Sequence, residues 1–103
     1  MIRLIEDNRA AIEQVCRTHG VDQLELFGSA ARADFDEVTS DVDFLVRFLP
    51  RDSGQAEAFF GLREDLERLL GRPIDLVMTD AVRNRYFREA IERDRVPLYA
   101  HAA

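Results

Sequence analysis

The sequence predicts an α+β fold of sandwich-like form, a small mixed β-sheet with helices packed on one face. Three observations point there. Long stretches repeat apolar residues at three- and four-residue steps, the period of an amphipathic helix. Shorter stretches at 22–27, 41–48 and 74–78 alternate apolar and polar residues, the period of a strand. At 103 residues the chain has length for one hydrophobic core, so residues 1–103 are expected to form a single domain.

Taken in order, residues 3–18 read as a helix, with Leu4, Ile5, Ile12, Val15 and Cys16 on its apolar stripe and Gly20 placed to end it. His19 sits where a cation favours a helix C-terminus, so it is read as a terminal residue and not a ligand. In the 22–27 strand, Leu24 and Leu26 face the core and Glu25 and Phe27 lie opposite. Ala30–Ala33 is expected to make a short helix. After the strand at 41–48, Pro50, Asp52, Ser53 and Gly54 mark a break. The helix that follows runs to Leu70 with Phe59, Leu62, Leu66, Leu69 and Leu70 as its stripe, and Gly71 ends it. Arg72-Pro73 turns the chain into the strand Ile74–Met78. A final helix over 80–94, capped by Thr79 or Asp80, is expected to bury Val82, Tyr86, Phe87, Ala90 and Ile91. Val96–Tyr99 reads as a short edge strand.

Chemistry concentrates in Leu26–Phe48, LFGSAARADFDEVTSDVDFLVRF. Asp41 and Asp43 lie two apart in a strand, so both carboxylates point to one face while Val42, Phe44, Val46 and Phe48 point to the other. Adjacent like charges repel, and a hard divalent ion compensates them. Magnesium prefers oxygen ligands and completes its shell with water and substrate phosphates. Gly28 allows a tight turn and a close approach of backbone to ligand, and Ser29 can aim amide hydrogens at an anion. Arg32 stands near enough to assist with phosphate, or else pairs with Asp34 or Asp36 on the surface. Asp75 repeats the pattern in the third strand; it is either satisfied by a neighbouring arginine or lies beside Asp41 and Asp43. Each signal alone also describes a turn or a solvated strand edge. Their order, apolar strand, Gly-Ser, short helical stretch, Ser-Asp-x-Asp, apolar strand, is what gives them weight.

That order resembles the signature of the DNA polymerase beta-like nucleotidyltransferase superfamily, and most of all its minimal nucleotidyltransferase domains. The spacer between Ser29 and Asp41 is eleven residues, Ala30 to Ser40. The resemblance runs on through the Pro-Ile-Asp-Leu-Val strand and the closing Val-Pro-Leu-Tyr segment. It implies the polymerase beta-like fold, Asp41, Asp43 and Asp75 as catalytic residues and metal ligands, and two magnesium ions. It also implies ATP as substrate, with Gly28, Ser29 and Arg32 on the phosphates. Domains of this appearance are often the antitoxin of a toxin-antitoxin pair whose toxin is a HEPN-domain ribonuclease. The implied partner is therefore a HEPN protein in a hetero-oligomer, and the implied reaction is AMP transfer to a tyrosine of the toxin. Two alternatives stand beside it: a non-catalytic antitoxin that neutralises by binding, and an enzyme that modifies a small molecule with the help of a second subunit.

Composition narrows the field further. The net charge of −6 argues against direct nucleic-acid binding, which depends on basic surface. All fourteen basic residues are arginine, so any basic phosphate contact is a guanidinium fork. No apolar run reaches membrane-spanning length and no secretion signal opens the chain, which leads to the expectation of a cytoplasmic protein. Cys16 is the single cysteine and reads as core.

Overall fold

The alternating and helical periods produce eight elements in a computed structural model that describes residues 3–31 and 41–102. They are α1 (Arg3–Asp7), α2 (Arg9–Thr18), β1 (Val21–Phe27), β2 (Val42–Phe48), α3 (Gln55–Leu70), β3 (Ile74–Met78), α4 (Arg85–Asp94) and β4 (Val96–Ala100). Short 3-10 turns follow β1 at Gly28–Ala30 and β3 at Thr79–Ala81. The sheet is mixed, as predicted, with strand order β3-β2-β1-β4. β1 pairs antiparallel with β2 and β4, and β2 runs parallel to β3. A parallel pair requires a crossover, and α3 provides it.

Alternation along the strands sorts the side chains into two clusters. Val21, Leu24, Leu26, Val42, Phe44, Val46, Ile74 and Leu76 pack with Ile5, Ile12 and Cys16 of the N-terminal helices and with Leu62, Leu66 and Leu70 of α3. Phe27 and Leu45 point the other way and pack with Val82 and Ile91, and with Val77 at their margin. The predicted helical layer on one face is therefore α1, α2 and α3, whereas α4 covers the opposite face. The reason is visible in the strands: that second face is apolar at Phe27, Leu45 and Val77, and apolar area needs cover.

Several boundaries differ from the sequence expectation. The helix over 3–18 is broken at Asn8, whose side chain donates from Nδ2 to the Leu4 carbonyl at 2.9 Å. The last helix begins at Arg85 and not at 80. Asn84 caps it, accepting from the backbone N–H of Tyr86 at 2.9 Å and of Phe87 at 3.1 Å. Thr79 and Asp80 belong instead to the preceding 3-10 turn, where Thr79 Oγ1 donates to the Val46 carbonyl. Of the expected stripe, Val82 and Ile91 are buried, while Tyr86 and Phe87 are exposed.

His19 has a larger part than a helix terminus. Its Nε2 lies 2.6 Å from Asp65 Oδ2, tying the end of α2 to α3. Gly61 makes room for the ring, because a Cβ there would stand 2.7 Å from His19 Cε1. The hydrogen bond from His19 holds the Asp65 carboxyl below the ordinary carboxylate range. A depressed carboxylate stabilises the fold above its unfolded pKa and loses that contribution as the pH falls through its folded value. Asp65→Asn is therefore expected to cost about 1 kcal/mol at neutral pH. The gap from wild type should close in strong acid, as followed by urea melts across the acid range. Cys16 is buried as expected, and burial pushes its thiol up to about 12, which leaves it protonated and inert at neutral pH.

Candidate active site

The second face of the sheet carries a row of three side chains across three neighbouring strands. Phe27 of β1 is the register partner of Asp43 in β2, and Asp43 is the partner of Asp75 in β3. Register partners share a face, and adjacent strands lie about 4.8 Å apart, so the carboxylates of Asp43 and Asp75 stand side by side. The register sets Asp75 beside Asp43, but the three-carboxylate cluster expected with Asp41 is not formed among the described residues. Asp43 is half-buried and Asp75 is exposed. Asp41 precedes the first residue of β2 and is exposed. That strand start is anchored beside β3, where the Val42 N–H donates to the Pro73 carbonyl at 3.2 Å.

Gly28 completes the centre. The chain leaves β1 at Phe27 with extended backbone and enters the Gly28–Ala30 turn, where Gly28 adopts φ +72°, a left-handed conformation that favours glycine. A Cβ at Gly28 would collide with Oδ2 of Asp43 and lie 3.1 Å from its Cγ. The backbone thus presses directly against the carboxylate, with Ser29 next along. Of the short helix expected at 30–33, the described part ends in this 3-10 turn, and residues 32 and 33 lie outside the described residues. Arg32, with Asp34, Asp36 and Glu37, lies outside the described residues.

The donor set suits a hard cation. Among the described residues no three His, Cys, Asp or Glu side chains form a group close enough to hold a metal ion. The fit therefore rests on the Asp43–Asp75 pair with Asp41 at its edge. One or two carboxylates, completed by water and phosphate oxygens, is the ordinary manner of binding magnesium.

Farther along the same face is a cavity of about 260 Å³, bounded by Leu45, Thr79, Val82 and Ile91, with Arg88 and Arg95 among its walls. Arg95 forks onto Glu25, with Nε to Oε2 at 2.7 Å and Nη2 to Oε1 at 2.5 Å, which satisfies a carboxylate only 7% exposed. Sequence reasoning missed the aromatic edge of the site. Phe87, on the first turn of α4, packs edge-on against Phe27 with ring centroids 5.8 Å apart. The signal for Phe27 was its alternation onto the face of Asp43. None was available for Phe87, because its helical period reads equally well as buried.

The mixed sheet with its Gly-Ser turn beside Asp43 matches the polymerase beta-like nucleotidyltransferase fold. A solved structure of a candidate minimal nucleotidyltransferase superposes with a TM-score of 0.75 at 31% identity, covering 94% of this chain and 97% of that one. A candidate protein adenylyltransferase of Methanocaldococcus jannaschii is 38% identical over 76 residues, 74% of each chain. A second from the same organism is 34% identical over 76 residues, 74% of this chain and 75% of its own. A crystal structure of a toxin-antitoxin with AMP-PNP shares the fold at 20% identity and a TM-score of 0.70, over 91% of this chain and 74% of that one. So does a complex of a tri-AMPylated Shewanella oneidensis HEPN toxin with its MNT antitoxin, at 18% identity and a TM-score of 0.65, over 93% of this chain and 72% of that one. The chain belongs to the nucleotidyltransferase domain family, whose profile matches residues 9–98. It is an enzyme of that class, and the class implies a nucleotide substrate. Among the described residues no helix is long and apolar enough to cross a membrane.

Proposed function

We propose that this chain transfers AMP from ATP to a hydroxyl group of a partner protein. The acceptor is a tyrosine of a HEPN-domain ribonuclease toxin, which the transfer silences, so the chain acts as the antitoxin of a hetero-oligomeric pair. The observation that carries the chemistry is the Gly28 backbone pressed on Asp43, with Asp75 alongside. Protein as the acceptor is supported by the two adenylyltransferase relatives. The toxin partner is drawn from structures that share the fold at low identity.

In this reading a new bond forms between the acceptor oxygen and the α-phosphorus of ATP. The bond from that phosphorus to the β-phosphate bridge breaks, and pyrophosphate leaves. Asp43 and Asp75, with Asp41 at their edge, would hold two magnesium ions. When bound, they supply charge neutralisation and a lowered hydroxyl pKa. Asp75 receives the proton of the acceptor hydroxyl. The amides and hydroxyl of Gly28 and Ser29 orient the phosphate oxygens, a task the left-handed turn suits because it brings backbone N–H groups to the surface without a side chain in the way. Arg32 assists on the phosphates.

The test is transfer of label from α-labelled ATP, with Mg²⁺, to a helical partner co-expressed with this chain. A mass increase of one or more AMP units on a partner tyrosine is expected. Silencing of the partner without any label on it would replace this reading with that of a binding-only antitoxin.

A further inference from the structure

The aromatic edge of the site has no role in the chemistry just described. Phe87 is held firmly: its backbone N–H is fixed by the Asn84 cap, and its ring stands on that of Phe27 at an interplanar angle of 75°. The two rings are treated differently, since Phe27 is 6% exposed and Phe87 remains 39% exposed. Phe60 and Tyr86 are exposed as well, so what distinguishes Phe87 is its location. α4 lies against both β1 and the Gly28–Ala30 turn. Phe27 immediately precedes Gly28 and is the register partner of Asp43. The exposed ring is therefore one strand spacing plus one ring contact from the central carboxylate.

We propose that Phe87, backed by Phe27, is the wall on which the purine base of the donor nucleotide stacks. The inference rests on the nucleotidyl-transfer reading of Asp43 and Gly28. The base belongs to the same molecule as the phosphates, so it needs a surface at fixed distance from the phosphate turn. Phe87 offers that through Phe27, the residue adjoining the turn. Aromatic faces bind bases through stacking, and purines present the larger π surface.

The experiment compares wild type, Phe87→Leu and Phe87→Trp for binding of ATP and CTP in Mg²⁺ by calorimetry, together with KM and kcat for transfer. Leucine keeps apolar cover over Phe27 and removes the ring. Phe87→Leu is expected to raise Kd and KM for ATP roughly tenfold, the order for one lost base–aromatic stack, with kcat retained. Its preference for ATP over CTP should shrink, and Phe87→Trp should restore both. Equal weakening toward ATP and CTP, or unchanged ATP binding, would overturn the inference while leaving the transfer reading intact. Should the leucine variant fail to fold, the tryptophan variant still decides, because ATP binding weaker than wild type by a folded Phe87→Trp contradicts a stacking wall. Wild-type protein that binds neither nucleotide would remove the transfer reading itself.

Discussion

Asp43→Asn is expected to lower nucleotidyl transfer by at least about a thousandfold, the scale at which loss of one preorganised charge-stabilising group is felt in a transfer reaction. Asp43 is the centre of the row, with Phe27 on one side, Asp75 on the other and the Gly28 backbone against it. Asparagine keeps the shape of the side chain and removes its charge. The like-charge repulsion with Asp75 disappears with it. The melting temperature should then stay within a few degrees of wild type while activity is lost, and that separation is the mark of a residue kept for chemistry. Thermal melts run beside a label-transfer assay measure both. Retention of more than a tenth of the activity in a folded Asp43→Asn protein would exclude the assigned role.

The second large effect is expected from Gly28→Ala, by a different physical route. The added methyl group meets Oδ2 of Asp43, and φ +72° is strained for any residue with a Cβ. The left-handed conformation alone costs about 1–2 kcal/mol, and relief of the collision must move either the turn or the carboxylate. A displacement of about 1 Å at a reacting centre lowers rate by about a hundredfold. Gly28→Ala should therefore lose stability and activity together, where Asp43→Asn loses activity alone. A urea melt and the same transfer assay distinguish the two patterns. An alanine variant as stable and as active as wild type would show that the turn does not press on the carboxylate in solution.

Much of this architecture was legible in the residues because strand alternation has only two outcomes. Once Phe44 and Leu76 are taken as core, Asp43 and Asp75 must share the other face, and the structure adds that they are direct partners in register. The Gly-Ser turn was legible for a similar reason, since few residues accept the left-handed backbone that such a turn requires. What resisted reading depends on contacts distant in sequence. The period of Val82, Tyr86, Phe87, Ala90 and Ile91 fits a buried stripe, but within α4 only Ile91 is buried, with Val82 joining from the preceding segment and Tyr86 and Phe87 left exposed. Placement of all helices on one face failed for α4 because the face read as a charge site also carries Phe27, Leu45 and Val77, which pack with Val82 and Ile91. The pairing of His19 with Asp65, 46 residues away, carried no local signal at all.

The Glu25–Arg95 fork spans 70 residues of chain and fastens the residue that leads into the last strand to the first strand. β1 is the inner strand between β2 and β4, so the sheet cannot close until that distant segment has docked. Loop closure over such a span is an entropic cost that docking of the last strand has to offset. Whenever that segment is undocked, one edge of β1 is open. In that state the backbone of β1 is free to take up a strand from another molecule, so high concentration during refolding favours aggregation over the native sheet.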